Sequence, residues 1–594
     1  MLLPLLVVLA CTAQSFATVY TSHTGLPANA IYDLIIVGGG TAGSVLANRL
    51  TEDPRVKVLI IEAGNTPEAV FNTRVPFLAS SLRNTTVDWN FTSTTQPGLD
   101  NRSLWYERGH VLGGSSVVNL MAFNRGSDDV WNNWAQLTGD SGWSWKSMLP
   151  YYMKTSRIVP PADHHNTTGQ FIPAAHGHGP VEVSLPGFPS ILNEPVLDTA
   201  KNLGGRFSYQ EDLNAGNFTG FSYCQSSVGQ GQRSHAERAY IAPVRNRANL
   251  DVVLNTRATK LINTGSSSAP VFKTVQFGTN SSDLRTLRAS KELILSTGAF
   301  GTPQLLLLSG IGPPHTLESL GIQPIVDLPD VGQNLTDHPL LPNYFYINST
   351  ATFDDILRNS TAFAAALSKW NTTKQGPLVI PSATTMAFMR FDADSAIIKQ
   401  YGDPSSGPLS AHTELLFING FQRLSTIPQP ATGHYMTVLT SVVSPMSRGS
   451  MTLASSDPFA NPVIDPQMLV HGFDSSAMAQ SMTDVQTFLG QPLFARFNIT
   501  PFGALADATT QAEQIAYARN LTVTLNHPVG TARMTAADAP DGVVDSTLLL
   551  KKASGLRIVD ASVFPQIPEC HPQAVVYTLA ERAADLVKAD WHLS

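Results

Sequence analysis

An α/β fold (α+β overall), built on a Rossmann-like nucleotide-binding domain with a second domain inserted into it, is what this sequence predicts. Three observations carry that expectation. The chain has 594 residues, more than one hydrophobic core usually organises, because single cores stop growing at roughly 250–300 residues. An apolar run, Tyr32 to Val37, leads directly into Gly38-Gly39-Gly40-Thr41-Ala42-Gly43 and then into a helical pattern, Ser44 to Leu50. A second apolar run, Val56 to Ile61, ends on an acid, Glu62.

Composition narrows the class further. Hydrophobic residues make up 43% and charged residues 14%, which excludes a disordered chain, since that needs low hydrophobicity and high charge. A formal charge of -7 argues against nucleic acid as a partner. Leu2 to Ala10 is apolar and Ser15-Phe16-Ala17 supplies small residues, so 1–17 reads as a secretory signal peptide and the protein as secreted. No later run reaches about 18 apolar residues, so no membrane span is expected. Asn-x-Ser/Thr sequons at Asn84, Asn90, Asn101, Asn166, Asn217, Asn280, Asn334, Asn348, Asn359, Asn371, Asn498 and Asn520 fit a glycoprotein. With Cys11 in the signal, only Cys224 and Cys570 are left, too few for a disulfide framework though able to pair. His164, His165, His176 and His178 lie in a Pro/Gly-rich stretch and read as solvated loop residues; no metal site is expected.

The glycine motif has a physical rationale at each position. Gly38 permits the tight strand-to-helix turn, Gly40 lets backbone approach a pyrophosphate, and Gly43 lets the helix pack against the strand. Thr41 and Ala42, also candidate cofactor contacts, lead into the helix, whose free N–H groups and positive dipole end favour phosphate. Glu62 is placed to accept hydrogen bonds from ribose hydroxyls. The motif alone does not separate FAD from NAD. A secreted protein favours FAD, because a diffusible NAD pool is not expected outside cells.

Downstream, Gly109-His110-Val111-Leu112-Gly113-Gly114-Ser115-Ser116-Val117-Val118-Asn119 resembles the first signature of the glucose-methanol-choline (GMC) oxidoreductases. Gly298 to Gly312 resembles the second. Asn526-His527-Pro528, Gly555 to Ser562 and His571-Pro572 match the C-terminal part, so the resemblance runs from about Asp33 to Lys588. Secreted fungal aryl-alcohol oxidases and pyranose dehydrogenases are the nearest branches. The resemblance implies a cofactor domain over 30–155, 225–335 and 525–594. It implies a substrate domain over 156–224 and 336–524, built on an antiparallel sheet with strands at Ala411 to Phe417, Gly433 to Val443 and Ser450 to Ala454.

The same resemblance assigns residues. Gly113, Ser115 and Asn119 would approach the flavin. Ala258, in a strand Leu254 to Leu261, would contact the adenine end, and Asp560 and Ala561 the ribityl-pyrophosphate part. His527 would be the base and His571 its hydrogen-bonding partner at the alcohol oxygen, a role suited to histidine. His527 follows a helix at Thr510 to Asn520, and His571 precedes one at Gln573 to Lys588. Val117 stands where pyranose dehydrogenases carry a flavin-linked histidine, so the FAD is expected to be non-covalent. Leu120 and Asn526 replace aromatic residues of the aryl-alcohol oxidases, leaving Phe421 as an aromatic wall. The resulting expectation is a monomeric enzyme oxidising an aromatic or allylic primary alcohol, with oxygen or a quinone as acceptor. The alternatives are a sugar dehydrogenase, a secondary-metabolite tailoring oxidoreductase and, last, a non-redox lyase or cyclase.

Overall fold

The protein is described by a computed structural model over residues 18–594, so the expected signal peptide at 1–17 lies outside the described residues. Strand β1 (Tyr32–Val37) runs into helix α1 (Thr41–Leu50) and returns as β2 (Val58–Ile61), parallel to β1 in the register Leu34↔Val58 to Val37↔Ile61. Leu34, Ile35, Ile36, Val58, Leu59 and Ile60 are fully buried. A parallel strand covered on both faces needs such a continuous apolar run. Leu250–Val253 pairs with the far side of β2, and Thr18–Tyr20 adds an edge strand outside it. The 12-residue strand Leu284–Leu295 joins two patterns. Its C-terminal half runs parallel to β1 and to Leu556–Ile558, while its N-terminal half runs antiparallel to Phe272–Gly278. Inside this sheet Arg557 and Glu292 form a fully buried ion pair, Nε to Oε1 2.6 Å.

The strand expected from Leu254 begins only at Arg257 and continues to Asn263. The reason is local. The N–H groups of Leu254, Asn255 and Thr256 donate to Tyr20, Gly64 and Glu62 carbonyls, and Asn255 takes φ +49°. The chain is therefore spent on fastening the β2 turn before it can pair as a strand.

Helix α2 (Gly298–Leu308) is apolar nearly all round, and Ala299, Phe300 and Leu305 to Leu308 are buried. A second, antiparallel sheet centres on β3 (Pro339–Tyr346), β4 (Thr385–Met389), β5 (Thr413–Ile418) and β6 (Tyr435–Val442), in the order β3-β6-β5-β4, with Gly220–Tyr223 beyond β4. Two expected strands are there within two residues. The third is not: Ser450–Thr452 pairs with Val463–Asp465 in a separate two-stranded ribbon. Met451 is fully buried and its N–H donates to the Gly332 carbonyl, which holds the ribbon away from the second sheet.

Helix α3 (Gln511–Leu521) starts with a capping box, Thr510 and Glu513 each bonding the other's backbone. Helix α4 (Gln573–Trp591) runs three residues past its expected end and stops where His592 turns left-handed. It packs along α1, where Arg49 bonds Glu581 through both carboxylate oxygens at 2.7 and 2.8 Å.

Cys224 and Cys570 are separate, buried thiols. Burial raises both, Cys224 to about 12. Of the four loop histidines, His164 and His178 are exposed and His165 half-buried. His176 departs from the solvated reading: it is buried, with Nε2 2.7 Å from Asp212. No helix among the described residues is long and apolar enough to cross a membrane. The sequon asparagines are exposed except Asn90 and Asn334, which are half-buried.

Candidate active site

One cavity runs from the C-terminal ends of β1 and β2 to the face of the second sheet. Gly38, Gly40, Thr41 and Ala42 line its first end, with Glu62 beside them. Gly38 takes φ +96°, and a Cβ on Gly43 would sit 2.0 Å from the Gly38 carbonyl oxygen. Gly43 itself lies off the cavity wall, so its part is to let α1 close on β1. A Cβ on Gly114 would lie 2.7 Å from the Gly40 Cα, so the two glycine loops touch. Gly298, at the start of α2, has φ +79° and nothing within 4 Å of the place a Cβ would occupy. It lines the cavity, so a side chain there would fill it.

Glu62 accepts from Gly39 N at 2.9 Å and from Gly64 N at 2.8 Å. Burial pushes its carboxyl up to about 7 against those two bonds. Asp560 accepts from Gly298 N (2.9 Å) and Thr302 Oγ1 (2.6 Å) through one oxygen and from Ser562 N (2.8 Å) through the other. Asp560, Ala561, Ala258, Ser115 and Asn119 all line the cavity. Gly113 does not. It takes φ +96°, its N–H donates to the Gly39 carbonyl, and a Cβ would strike Val117. It shapes the loop and leaves the wall to Gly114.

At the other end His527 and His571 meet edge to face, ring centroids 4.8 Å apart, both lining the cavity. The backbone N–H of His527 donates to Asp337 (2.8 Å), and its Nδ1 lies 3.0 Å from Nδ1 of His338. His338 is fully buried, and burial with nearby His571 lowers it to about 3. The contact occupies Nδ1 of His527 and leaves its Nε2 as the nitrogen available to the cavity. Burial first, then His571, His338 and Arg108, holds His527 well below the usual histidine range. It is therefore neutral in the ordinary pH range.

His571 is held differently. Its backbone N–H donates to Asn124 (2.9 Å), and its Nε2 lies 2.7 Å from Glu414 Oε1 on β5. Nδ1 is the nitrogen left to face a ligand. Asn119 donates to Gln573 (2.9 Å) at the start of α4 and accepts from Arg233 (2.8 Å). Arg233 is buried with no carboxylate among the described residues on its guanidinium, and burial lowers it to about 9.

A glycine cradle and two buried histidines, supported by different partners, thus share one cavity. The chain belongs to the GMC oxidoreductase family. The GMC oxidoreductase N-terminal family model matches residues 32–340 and the C-terminal one 445–580. The dehydrogenase eriK of Hericium erinaceus is 37% identical, covering 96% of each chain. Pyranose dehydrogenase 3 of Leucoagaricus meleagris is 34% identical, over 96% of this chain and 95% of its own. Among solved structures, Aspergillus oryzae formate oxidase superposes with a TM-score of 0.86 at 30% identity, covering 97% of this chain and 99% of that one. A fungal aryl-alcohol oxidase gives 0.81 at 26%, over 95% and 99%.

The cavity suits the FAD of a GMC enzyme, since backbone close approach at Gly40, Gly114 and Gly298 makes room for a flat, phosphorylated ligand. Four supporting groups of this GMC centre are absent from the motifs: Glu414, His338, Asp337 and Arg233. His338, in Asp337-His338-Pro339, resembles Asn526-His527-Pro528 in form, and that echo was the one available signal. Phe421 is a correction. It is buried against Tyr344, centroids 4.2 Å apart, in a cluster with Tyr435 and Phe502, and does not line the cavity. Leu120 and Asn526 do line it.

Proposed function

We propose that this FAD-dependent oxidoreductase converts a primary alcohol with an activated, benzylic or allylic, C–H bond to the aldehyde. The carrying observation is the pair of free nitrogens, Nε2 of His527 and Nδ1 of His571, at the cavity end opposite the glycine cradle. Bound FAD would supply the acceptor for the hydride of the carbinol carbon. His527, neutral through burial, removes the hydroxyl proton as the carbon loses its hydride. Nδ1 of His571 bonds the same oxygen and fixes which C–H faces the cofactor, while Glu414 keeps the ring from turning. Asn119 and Gln573 bracket the start of α4, whose N-terminal dipole favours negative charge there.

The residue at 117 is an aliphatic valine, buried among Leu82, Val87, Val111 and Val118, which supports FAD held without a covalent bond. Secretion, glycosylation at the exposed sequons and a monomeric state complete the reading, with oxygen as acceptor. A second reading, a sugar dehydrogenase passing electrons to a quinone, draws on the likeness to pyranose dehydrogenases.

The test is the anaerobic flavin spectrum of the purified protein with 4-methoxybenzyl alcohol or glucose, followed by oxygen. Bleaching by the aryl alcohol with rapid reoxidation supports the oxidase. Bleaching by glucose alone with slow reoxidation supports the second reading. A flavin that dithionite bleaches and no alcohol does removes both.

A further inference from the structure

Arg233 is a cation held where a charge is expensive. It is 1% exposed and lies on the short strand Gln232–Arg233, which pairs with Val228–Gly229. Its guanidinium bonds go to neutral oxygens. Nε donates to the Thr73 carbonyl (2.9 Å), and Nη1 to the carbonyls of Ser116 (3.3 Å) and Asn119 (2.6 Å) and to Asn119 Oδ1 (2.8 Å). Nη2 has no partner. The titratable groups beside it bring no negative charge. Burial raises Tyr577 to about 12, and burial first, then Arg233, Arg238 and Arg74, lowers His235 to about 3. A buried charge without an opposite charge is costly, so the compensation is expected from what fills the cavity.

The bonding pattern carries that charge to the cavity wall. A guanidinium only donates, so it fixes the Asn119 amide with Oδ1 towards Arg233 and Nδ2 towards Gln573 Oε1, 2.9 Å away. Ser227 Oγ donates to the same Oε1 at 3.3 Å. Gln573 Nε2, like Arg233 Nη2, is a buried donor without a partner. Asn119 and Gln573 both line the cavity. Gln573 is two residues from His571, which puts the pair at the histidine end, opposite the Gly38 cradle. Hydrogen bonds in such a chain polarise one another.

The charge that changes at this end is the cofactor's. A hydride is one proton with two electrons, so its transfer adds one negative charge to the FAD. We propose that Arg233, acting through Asn119, offsets that added charge and so raises the reduction potential of the bound FAD. It is a positioning residue, one side chain behind the wall. The role rests on FAD binding in this cavity and on no particular alcohol.

The test is the two-electron midpoint potential of the holoenzyme, measured against a reference dye during slow reduction by xanthine and xanthine oxidase. Arg233→Met is expected to lower it by about 60 mV, a hundredfold change in the equilibrium constant. Arg233→Lys keeps the charge and is expected to stay within a tenfold change, about 30 mV. If Arg233→Met purifies without FAD, Gln573→Glu decides. It keeps the oxygen that Asn119 and Ser227 use, adds a negative charge, and is expected to lower the potential by about 30 mV, tenfold. A change below threefold in the deciding variant overturns the inference. So does an Arg233→Lys potential as low as that of Arg233→Met, which would make the guanidinium a requirement of shape, and so does loss of FAD from both Arg233→Met and Gln573→Glu. No alcohol is present in the measurement, so these failures leave the alcohol reading standing, and that reading fails separately, by the absence of bleaching with any alcohol.

Discussion

The two ends of the cavity are built by opposite means. At the nucleotide end the working surface is backbone: Gly38, Gly40, Gly114 and Gly298 leave room, and Glu62 and Asp560 are themselves tied down by main-chain N–H groups. At the alcohol end the working groups are side chains held by other side chains, His527 by His338 and His571 by Glu414. Backbone surfaces tolerate no added atom, whereas side-chain surfaces depend on charge and tautomer. The two ends should therefore fail differently when altered.

The largest effect is expected at the backbone end. Gly43→Ala brings a methyl to 2.0 Å from the Gly38 carbonyl, a contact that no side-chain motion relieves. The variant should purify without flavin, read as loss of the visible absorbance of FAD. Retention of stoichiometric FAD would mean that α1 can move off β1, and that the cradle is less rigid than its geometry.

The alcohol end should instead keep its flavin and lose rate. His527→Ala removes the proposed base but touches no part of the glycine cradle. Flavin reduction should slow by about 10²–10⁴-fold, with the bound-flavin spectrum unchanged. A loss below tenfold would move the base to another group.

This difference also explains what could be read from the residues alone. A backbone requirement is written locally, as glycines at fixed spacing followed by an acid, so β1, α1 and Glu62 were legible. His527 and His571 were legible by their motifs. Glu414 and His338 were not, because they lie 157 and 189 residues from the histidines they hold and only the second sheet brings them together. Phe421 misled for a related reason. It follows Gly420 at φ +153°, and that turn carries the ring to Tyr344 and away from the site. Ser450–Thr452 shows strand character in sequence, but its partner, Val463–Asp465, is chosen by the buried Met451 and the Gly332 contact.

Glu414→Gln sharpens the comparison within the alcohol end. The amide keeps the shape and one hydrogen-bonding oxygen but loses the negative charge beside the His571 ring. A charge-assisted bond is worth about 1.5–3 kcal/mol, so flavin reduction should fall roughly 10- to 100-fold, with FAD content intact. The rate is to be followed across the whole pH profile, and a rate equal to that of the unaltered protein throughout would make Glu414 a packing residue.

The smallest effect concerns the acid limb of that profile. His527 must be neutral to act as base, and its ordinary value of 6.5 is lowered by burial first and then by the neighbouring His571, His338 and Arg108. The reductive half-reaction should therefore hold its rate as pH falls through 6.5 and decline only below it. Arg108 is the weakest of the causes, its guanidinium donating to the Asn526 carbonyl at 2.6 Å. Arg108→Met removes a positive charge, makes the imidazolium of His527 less unfavourable, and so moves the acid limb upward by a fraction of a pH unit. A downward movement would show that Arg108 orders the Asn526 turn more than it repels the proton. It would also make the support of His527 as dependent on backbone as the cradle at the other end.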